Sequence, residues 1–138
     1  MYRIEETDYG LKLTLSGIIE ASEIAAWLME FKPIVDNQKD GFCIFADVRF
    51  LSPLDSKGQM YMKAGQAYAR ENGLARSVVV VDNPVTAGQA KQIAMVTGVK
   101  SGERYIDSAS DPDWAATAMK WITDSVDPDK KEKQALSK

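Results

Sequence analysis

The architecture of this chain follows from two short runs of sequence, Phe42-Cys43-Ile44-Phe45-Ala46 and Ser77-Val78-Val79-Val80-Val81. An aspartate, Asp47 or Asp82, follows each run directly. Neither run alternates apolar with polar residues, a pattern typical of strands that are covered on both faces of a sheet. A stretch with helical periodicity, from Pro53 to Asn72, lies between them. Two buried strands joined by a helix predict a parallel βαβ unit, because parallel neighbours need a long crossover connection.

The segment between the two strands carries the sequence marks of a helix. Ser52 and Asp55 are spaced as a capping pair, and Pro53 between them suits the first helical position. Asn72-Gly73 is a helix stop signal. One face of this helix is predicted to consist of Leu54, Gly58, Tyr61, Gly65 and Tyr68. Because glycine costs roughly 1 kcal/mol relative to alanine inside a helix, we expect the helix backbone to lie close to the sheet, with the tyrosines filling the gaps.

The remaining segments complete an alternation of strands and helices. Leucines alternate with polar residues over Leu11–Ser16, which predicts a half-buried strand. Asp8-Tyr9-Gly10 joins this strand to Tyr2–Glu6 as a hairpin. The other predicted elements are a helix over Ala21–Asn37, a helix from Pro84 to Thr97 with Gly98 as its stop, and a short strand at Arg104-Tyr105-Ile106. A last helix is predicted to start at the cap-plus-proline signal Ser110-Asp111-Pro112-Asp113 and to carry an apolar stripe from Trp114 to Val126.

These elements predict an α/β protein with the order β-β-α-β-α-β-α-β-α. We expect a single mixed β-sheet of about five strands with about four helices packed on it. The length of 138 residues suits one domain of common size. Residues 1–127 are predicted to form that domain. Residues 128–138 carry four lysines and are predicted to be a charged, flexible C-terminal tail.

The composition argues against several kinds of active site. Histidine is absent and Cys43 is the single cysteine, so a histidine general base, a Cys-His pair, a zinc cluster and a disulfide framework are all excluded. Cys43 has no basic neighbour in sequence and is interpreted as a small core residue. Phosphoryl, hydride and hydrolytic chemistry each lack their usual residues. We therefore expect no catalytic residues, no metal and no cofactor, with an enzyme as the least favoured alternative.

Charge and hydropathy indicate whether the protein binds nucleic acid or enters a membrane. The formal net charge is −3, so the chain lacks the excess of basic residues that is typical of proteins that bind nucleic acid. No apolar run approaches the ~20 residues needed to cross a bilayer. The first ten residues are charged and lack the apolar region of a signal peptide. We expect a cytoplasmic protein that is not an integral membrane protein and does not bind nucleic acid.

The order of these segments resembles a STAS domain, the family of anti-sigma-factor antagonists and sulfate-transporter tails. In that family a strand ends in aspartate, and about eight residues later an Asp-Ser-Ser-Gly motif opens a helix. Here Asp47 ends the strand and Asp55-Ser56-Lys57-Gly58 occupies the place of the motif. Glu103-Arg104-Tyr105-Ile106 and the tryptophan-bearing helix from Trp114 are similar to the ending of the SpoIIAA-like, or STAS-like, branch. The resemblance spans about residues 2–124.

The resemblance implies a regulatory or adaptor domain that acts through protein contacts. In the family, a serine just before the glycine of the motif is phosphorylated, where the phosphate meets the free N–H groups of a helix N-terminus. Lys57 stands at that position here, so we expect the usual serine phosphoswitch to be absent, with Ser56 as the alternative acceptor. The surface expected to bind a protein partner consists of Arg49, Ser52, Asp55, Ser56 and Lys57.

A second interpretation is a carrier or sensor of a small apolar ligand or lipid. STAS folds resemble the CRAL-TRIO lipid-transfer domains in arrangement, and ligand pockets are mostly apolar with a few polar groups. The pocket would be lined by Trp27, Phe31, Tyr61, Met62 and Tyr68. The sequence also leaves open a homodimer formed through an exposed strand edge or through the last helix.

Overall fold

The computed structural model describes residues 1–97 and 102–129. In chain order its elements are β1 (Tyr2–Thr7), β2 (Gly10–Leu15), α1 (Ala21–Asp36), β3 (Cys43–Asp47), α2 (Ser56–Glu71), β4 (Arg76–Val81), α3 (Pro84–Thr97), β5 (Glu103–Asp107) and α4 (Trp114–Asp124). This is the predicted order. Gly98, predicted to stop the third helix, and residues 130–138 of the predicted tail lie outside the described residues.

The five strands form one mixed sheet in the order β1-β2-β3-β4-β5. β1 and β2 are an antiparallel hairpin, and β2 to β5 all run in the same direction. The prediction that the two apolar runs lie side by side and parallel is confirmed, since β3 pairs with β4 from Cys43 opposite Arg76 to Asp47 opposite Val80. Every residue of β3 is buried, as the lack of alternation indicated.

A turn with little room for a side chain closes the β1–β2 hairpin. Gly10 has a φ of 142°, in the region that favours glycine. A Cβ at this position would lie 2.9 Å from the backbone nitrogen of Cys43. Gly10 therefore allows β2 to start directly against β3, which is the contact that joins the hairpin to the parallel part of the sheet.

Helices α1, α2 and α3 pack over one face of the sheet and bury the larger core. This core takes alternate residues of β2, β3 and β4 and the inner faces of α1 and α2, together with Ile93 of α3. Trp27 and Phe31 of α1 stack at its centre, with ring centroids 4.6 Å apart. Such an aromatic pair adds packing energy beyond the area that it buries.

Helix α4 alone forms the second core, on the opposite face. Cys43, Phe45 and other strand residues that point away from α1 to α3 pack against Ala118, Trp121 and Ile122. The indole N–H of Trp121 donates to the carbonyl oxygen of Ser77 at 2.9 Å. Cys43 lies in this core as predicted, and its thiol donates to the carbonyl oxygen of Ile122 at 3.7 Å.

An arginine on β4 holds the end of α4. Nε of Arg76 donates to the carbonyl oxygen of Trp121 at 3.0 Å, and its Nη2 donates to that of Ile122 at 2.8 Å. The last carbonyl groups of a helix have no partner within the helix and carry partial negative charge. A cation from the sheet therefore satisfies them and fixes α4 on β4.

Helix α2 begins three residues later than predicted. Its N-cap is Asp55, whose Oδ1 accepts the N–H of Gly58 at 2.7 Å, and its first residue is Ser56. Ser52 and Pro53 lie in the preceding loop. The backbone N–H and carbonyl of Leu54 bond instead to the side-chain amide of Gln89, at 2.9 and 3.1 Å. This contact with α3 holds residue 54 outside the helix.

The inner face of α2 also differs from the prediction. The buried residues are Gly58, Met62, Gly65 and Ala69, whereas Tyr61 and Tyr68 are half-buried at the side of the helix. The gap at Gly65 is filled by Trp27, because a Cβ at position 65 would lie 2.6 Å from Cζ3 of that side chain. The glycine does bring the helix backbone close to its neighbour, but the neighbour is α1 and the filling side chain is a tryptophan.

We predict that Gly65→Ala destabilises the protein by about 1–2 kcal/mol. Alanine favours the helix, but its methyl group collides with an indole that cannot move in a close-packed core. Gly88→Ala in α3 is the matched control, since nothing lies within 4 Å of a Cβ there. The control should stabilise by about 0.5–1 kcal/mol. Urea unfolding of both variants measures the two effects, and equal stabilisation by both would contradict the close approach of α1 and α2.

Candidate functional site

The carboxyl ends of the four parallel strands meet at one edge of the sheet, where open α/β sheets commonly bind their partners. Four connections lie there, at residues 16–20, 48–55, 82–83 and 108–113. We call this region the carboxyl edge. It contains all five residues predicted to bind a partner, either in these connections or in the first turn of α2.

Arg49 is the centre of the carboxyl edge. Its Nε and Nη2 donate to Oδ1 and Oδ2 of Asp47 at 3.0 and 2.9 Å, and its backbone N–H donates to Oδ1 at 3.2 Å. Its guanidinium carbon lies 4.1 Å from the ring centroid of Trp114 and 4.9 Å from that of Phe50. Bidentate pairing and stacking on aromatic faces are both properties of the planar guanidinium group. Arg49 therefore ties the end of β3 to the start of α4.

The same contacts determine the charge of Asp47. Burial alone would raise the pKa of this carboxyl group, but the hydrogen bonds from the Arg49 side chain and backbone outweigh burial and hold the pKa below its ordinary value. Asp47 is therefore a buried carboxylate that depends on Arg49 for its charge.

Two loops of the carboxyl edge are joined by their backbones. The N–H of Gly17 donates to the carbonyl of Phe50 at 2.8 Å, and the N–H of Ser52 donates to the carbonyl of Gly17 at 3.0 Å. The hydroxyl of Thr86 donates to the carbonyl of Leu51 at 3.0 Å, which joins α3 to the same strip. These contacts extend the sheet by one bridge beyond β2 and β3 and hold the loops in place.

Large apolar side chains are exposed on this rigid edge. Ile18 is 84% exposed and Phe50 is 66% exposed, each beside a residue of the loop bridge. Met60 and Val85 are also exposed, in the early turns of the helices that start at this edge. We call these four side chains the edge patch: Ile18, Phe50, Met60 and Val85. Large apolar side chains that are exposed to water are candidates for contact with other molecules.

A small apolar cavity lies between the sheet and helices α2 and α3. Its volume is about 60 Å³. The apolar side chains that line it are Leu13, Leu15, Ala46, Val48, Leu51, Leu54, Met62, Val79, Ala90 and Ile93, and the polar ones are Gln66, Thr86, Gln89 and Glu103. The four polar residues come from α2, α3 and the first position of β5, so they lie on the walls that are farthest from β1.

Glu103 is a buried acid on the wall of this cavity, with 4% of its surface exposed. The hydroxyl of Tyr105 donates to its Oε2 at 2.6 Å, and the hydroxyl of Ser77 donates to its Oε1 at 3.2 Å. Burial raises the pKa of Glu103, and the two hydroxyl donors, which lower it, do not outweigh burial. In sequence, this glutamate has the pattern of an exposed residue before a short strand, so it carried no signal of its position.

The predicted apolar pocket does not form around its five residues. Trp27 and Phe31 are almost fully buried and stack on each other, so they fill space rather than line it. The hydroxyl of Tyr68 donates to Asp36 at the surface. Of the five, only Met62 lines the cavity described above. The prediction chose these residues from the aromatic and methionine content of the chain, but Trp27 fills the gap at Gly65.

Within residues 1–97 and 102–129, no group of three or more Cys, Asp and Glu side chains is arranged to hold a metal ion. No helix in this part of the chain has the length and apolar character that spanning a bilayer requires.

Comparison with known proteins identifies the fold. The chain matches no protein-family model and no curated protein sequence. Among solved structures it is similar to an anti-sigma factor antagonist from Mycobacterium paratuberculosis, with a TM-score of 0.54 and 18% sequence identity over 86% of this chain and 93% of that one. The chain has the STAS fold. At this identity the likeness establishes the architecture, and the predicted single sheet of five strands with four helices is confirmed.

The STAS-fold geometry places the predicted partner-binding residues in two groups. Arg49 and Asp55 make contacts within the protein: Arg49 pairs with Asp47, and Asp55 is the N-cap of α2. Ser52 is half-buried in the loop bridge, whereas Ser56 and Lys57 are exposed in the first turn of α2. Sequence reasoning did not find Ile18, Phe50 or Trp114 as members of this edge, because nothing in the local pattern indicates which loops pair.

We predict that Arg49→Ala destabilises the protein by about 1–3 kcal/mol at about pH 7, since it leaves Asp47 buried without its cation. The folded-state pKa of Asp47 is depressed, so its contribution to stability is present above its ordinary value of 3.8 and is lost as the pH falls. The difference in free energy of unfolding between wild type and Arg49→Ala should therefore become smaller as the pH falls.

Arg3→Ala is the matched control for this prediction. Arg3 pairs with Glu5 at 3.1 Å on an exposed strand. Exposed pairs contribute little, so the control should change stability by less than about 0.5 kcal/mol at any pH. Thermal unfolding across a pH series measures both, and a pH-independent effect of Arg49→Ala would contradict the dependence of Asp47 on its arginine.

Glu103 has the opposite pH dependence. Its folded-state pKa is raised above the ordinary value of 4.5. The contribution of protonated Glu103 to the free energy of unfolding is therefore fully present below pH 4.5, and it is lost as the pH rises through the folded-state pKa. We expect Glu103→Gln to remove this loss, so that the variant becomes more stable relative to wild type as the pH rises. Glu71→Gln, at an exposed site on α2, should have the same dependence of stability on pH as the wild type. The free energy of unfolding is measured against pH, and the same pH dependence for Glu103→Gln and wild type would contradict this prediction.

Proposed function

We propose that this STAS-fold protein is a non-enzymatic regulatory or adaptor domain that acts through protein contacts at its carboxyl edge. The observation that carries the proposal is the edge patch. Its residues Ile18 and Phe50 are exposed to solvent on two loops that are joined by backbone hydrogen bonds. Burial of apolar area is favourable by roughly 25 cal/mol per Å². A partner that covers these side chains gains that free energy without having to order the loops first.

The surroundings of the edge patch support a protein partner. Glu20, Asp55, Lys57 and Asp82 are exposed around it and carry both signs of charge. An apolar centre with a polar rim is the usual composition of a protein interface. The similar solved structure is called an anti-sigma factor antagonist, which names a protein as the object of its action. We propose that the partner of this chain is also a protein.

The regulation of this surface is proposed to differ from the phosphoswitch of the family. Lys57 occupies the place of the phosphorylated serine, immediately before Gly58, and it is exposed in the first turn of α2. A lysine there adds positive charge where a phosphate would add negative charge. We propose that binding does not depend on serine phosphorylation at that position, that it takes place in the cytoplasm, and that residues 1–127 form the binding domain.

A second copy of the chain is an alternative partner. Trp121 packs into the second core and Trp114 lies against Arg49, so neither tryptophan of the last helix is presented for a homodimer. The outer strands β1 and β5 remain as candidate edges. An unpaired strand edge can add a strand from a second chain.

A carrier of a small ligand is the second candidate function, and the cavity beside Glu103 favours it. Its volume of about 60 Å³ is far below the roughly 300–1,000 Å³ of sites for drug-sized molecules. The cavity therefore supports a small solute and argues against an acyl chain of lipid length.

We predict that the double substitution Ile18→Ser, Phe50→Ser abolishes partner capture and lowers the melting temperature only slightly, because both side chains are exposed and Phe50 gives up its ring contact with Arg49. Met29→Ser on α1 is the matched control, since Met29 is also an exposed apolar residue, at 74%. Quantitative cross-linking mass spectrometry would compare the proteins captured by the three forms. Equal capture by wild type and the double variant would contradict the proposed surface.

A further inference from the structure

The cavity between the sheet and helices α2 and α3 has the properties of a binding site for one kind of small molecule. A volume of about 60 Å³ holds about four to six water-sized groups, at roughly 10–15 Å³ each. Most of its wall is apolar, from Leu13, Val48, Met62, Val79 and Ile93 among others. An apolar wall of this size suits a chain of about four carbon atoms rather than a cluster of waters, because buried waters need polar partners on several sides.

Glu103 provides the one acidic group of the wall. Each of its carboxyl oxygens accepts one hydroxyl hydrogen bond, from Ser77 or Tyr105, and each oxygen of a carboxylate has two lone pairs. One acceptor position on each oxygen is thus left over. Among the residues that the structure describes, Glu103 forms no ion pair. A buried carboxylate without a cation is unfavourable, and a ligand that supplies the cation removes that cost.

Within residues 1–97 and 102–129, the other charged groups near this site do not neutralise Glu103. On α3, the ammonium group of Lys91 lies 5.4 Å from the centroid of the Tyr105 ring, on an exposed side chain. Arg104, the next residue of β5, points to the opposite face, where it pairs with Asp127 at 2.9 Å and stacks on Trp121. From α2 and α3, the polar groups on the cavity are the neutral side chains of Gln66, Thr86 and Gln89.

Helix α3 covers the cavity with few buried side chains. Of residues 84–93, only Thr86 and Ile93 are buried. The helix is held largely by hydrogen bonds from Thr86 to the carbonyl of Leu51 and between Gln89 and the backbone of Leu54. The carbonyl of Ala90 lies 3.2 Å from the Tyr105 hydroxyl, whose single proton is donated to Glu103. The Tyr105 hydroxyl therefore lies between Glu103 and α3. A group bound at Glu103 is placed to affect how α3 is held.

We propose that this cavity binds a short aliphatic primary amine, with its ammonium group on the carboxylate of Glu103 and its carbon chain among the apolar side chains. The ammonium group has three donors and no acceptor, which matches a carboxylate with open lone pairs. An anionic head group is repelled by Glu103, and an alcohol offers a donor without the charge. The site is separate from the edge patch, since none of the four edge-patch residues lines the cavity.

The test compares three probes that share a four-carbon chain and differ in head group. They are n-butylammonium, n-butanol and n-butyrate, titrated at equal ionic strength into the full chain and followed by amide chemical shifts in nuclear magnetic resonance. We expect saturable shifts for n-butylammonium at residues 77, 90, 103 and 105, with a dissociation constant on the order of millimolar. Binding of n-butanol should be at least about tenfold weaker, and n-butyrate should not bind.

Two variants and a pH series complete the experiment. Glu103→Gln should weaken n-butylammonium binding by at least about tenfold and leave n-butanol binding unchanged, whereas the exposed control Glu71→Gln should behave as wild type. Ala90→Leu fills the cavity and should abolish binding of all probes while Glu103 is retained. Affinity for n-butylammonium should rise with pH as Glu103 ionises, because the amine stays protonated up to about pH 10.

Several outcomes would overturn the proposal. These are equal affinity of wild type and Glu103→Gln for n-butylammonium, equal or tighter binding of n-butanol or n-butyrate by wild type, and the absence of saturable shifts with any probe. None of these outcomes bears on the edge patch, which is tested by the serine substitutions at positions 18 and 50.

Discussion

Four parallel strands that follow one another in both chain order and sheet order leave little freedom to the helices between them. Crossover connections between parallel strands are almost always right-handed. When each connection advances to the next strand on the same side, the same hand places α1, α2 and α3 together on one face. Of the helices α1 to α4, α4 alone packs on the other face, after the last strand. The larger core, the cavity and the carboxyl edge all result from this arrangement.

Helix α4 is held on the sheet by cations that stack on tryptophan. Arg49 connects Asp47 at the end of β3 to Trp114 at the start of α4, and Arg76 and Arg104 lie over Trp121 near the end of α4. A guanidinium group can hold a carboxylate or carbonyl in its plane while its face packs on an aromatic ring. Helix α4 is thereby fixed to the sheet at both ends.

The two candidate sites differ in what each would recognise. The edge patch lies on loops held by backbone hydrogen bonds, so its apolar side chains are presented with little entropy left to lose on binding. The cavity lies beneath α3, which is attached by hydrogen bonds from Thr86 and Gln89 and, within residues 84–93, by the buried side chains of Thr86 and Ile93. A rigid exposed surface suits a large partner, and a cavity of about 60 Å³ suits only a small solute.

Local pattern in the sequence was enough to determine the number, type and order of elements, the parallel pairing of β3 with β4 and the STAS resemblance. These follow from periodicity and from turn and stop residues, which act over a few positions. The start of α2, the side chain that fills the gap at Gly65, the internal use of Arg49 and the burial of Glu103 were decided by the tertiary structure. Each depends on a residue distant in sequence, such as Gln89 for Leu54 or Trp27 for Gly65, and the spacing of residues along one element does not reveal its neighbours.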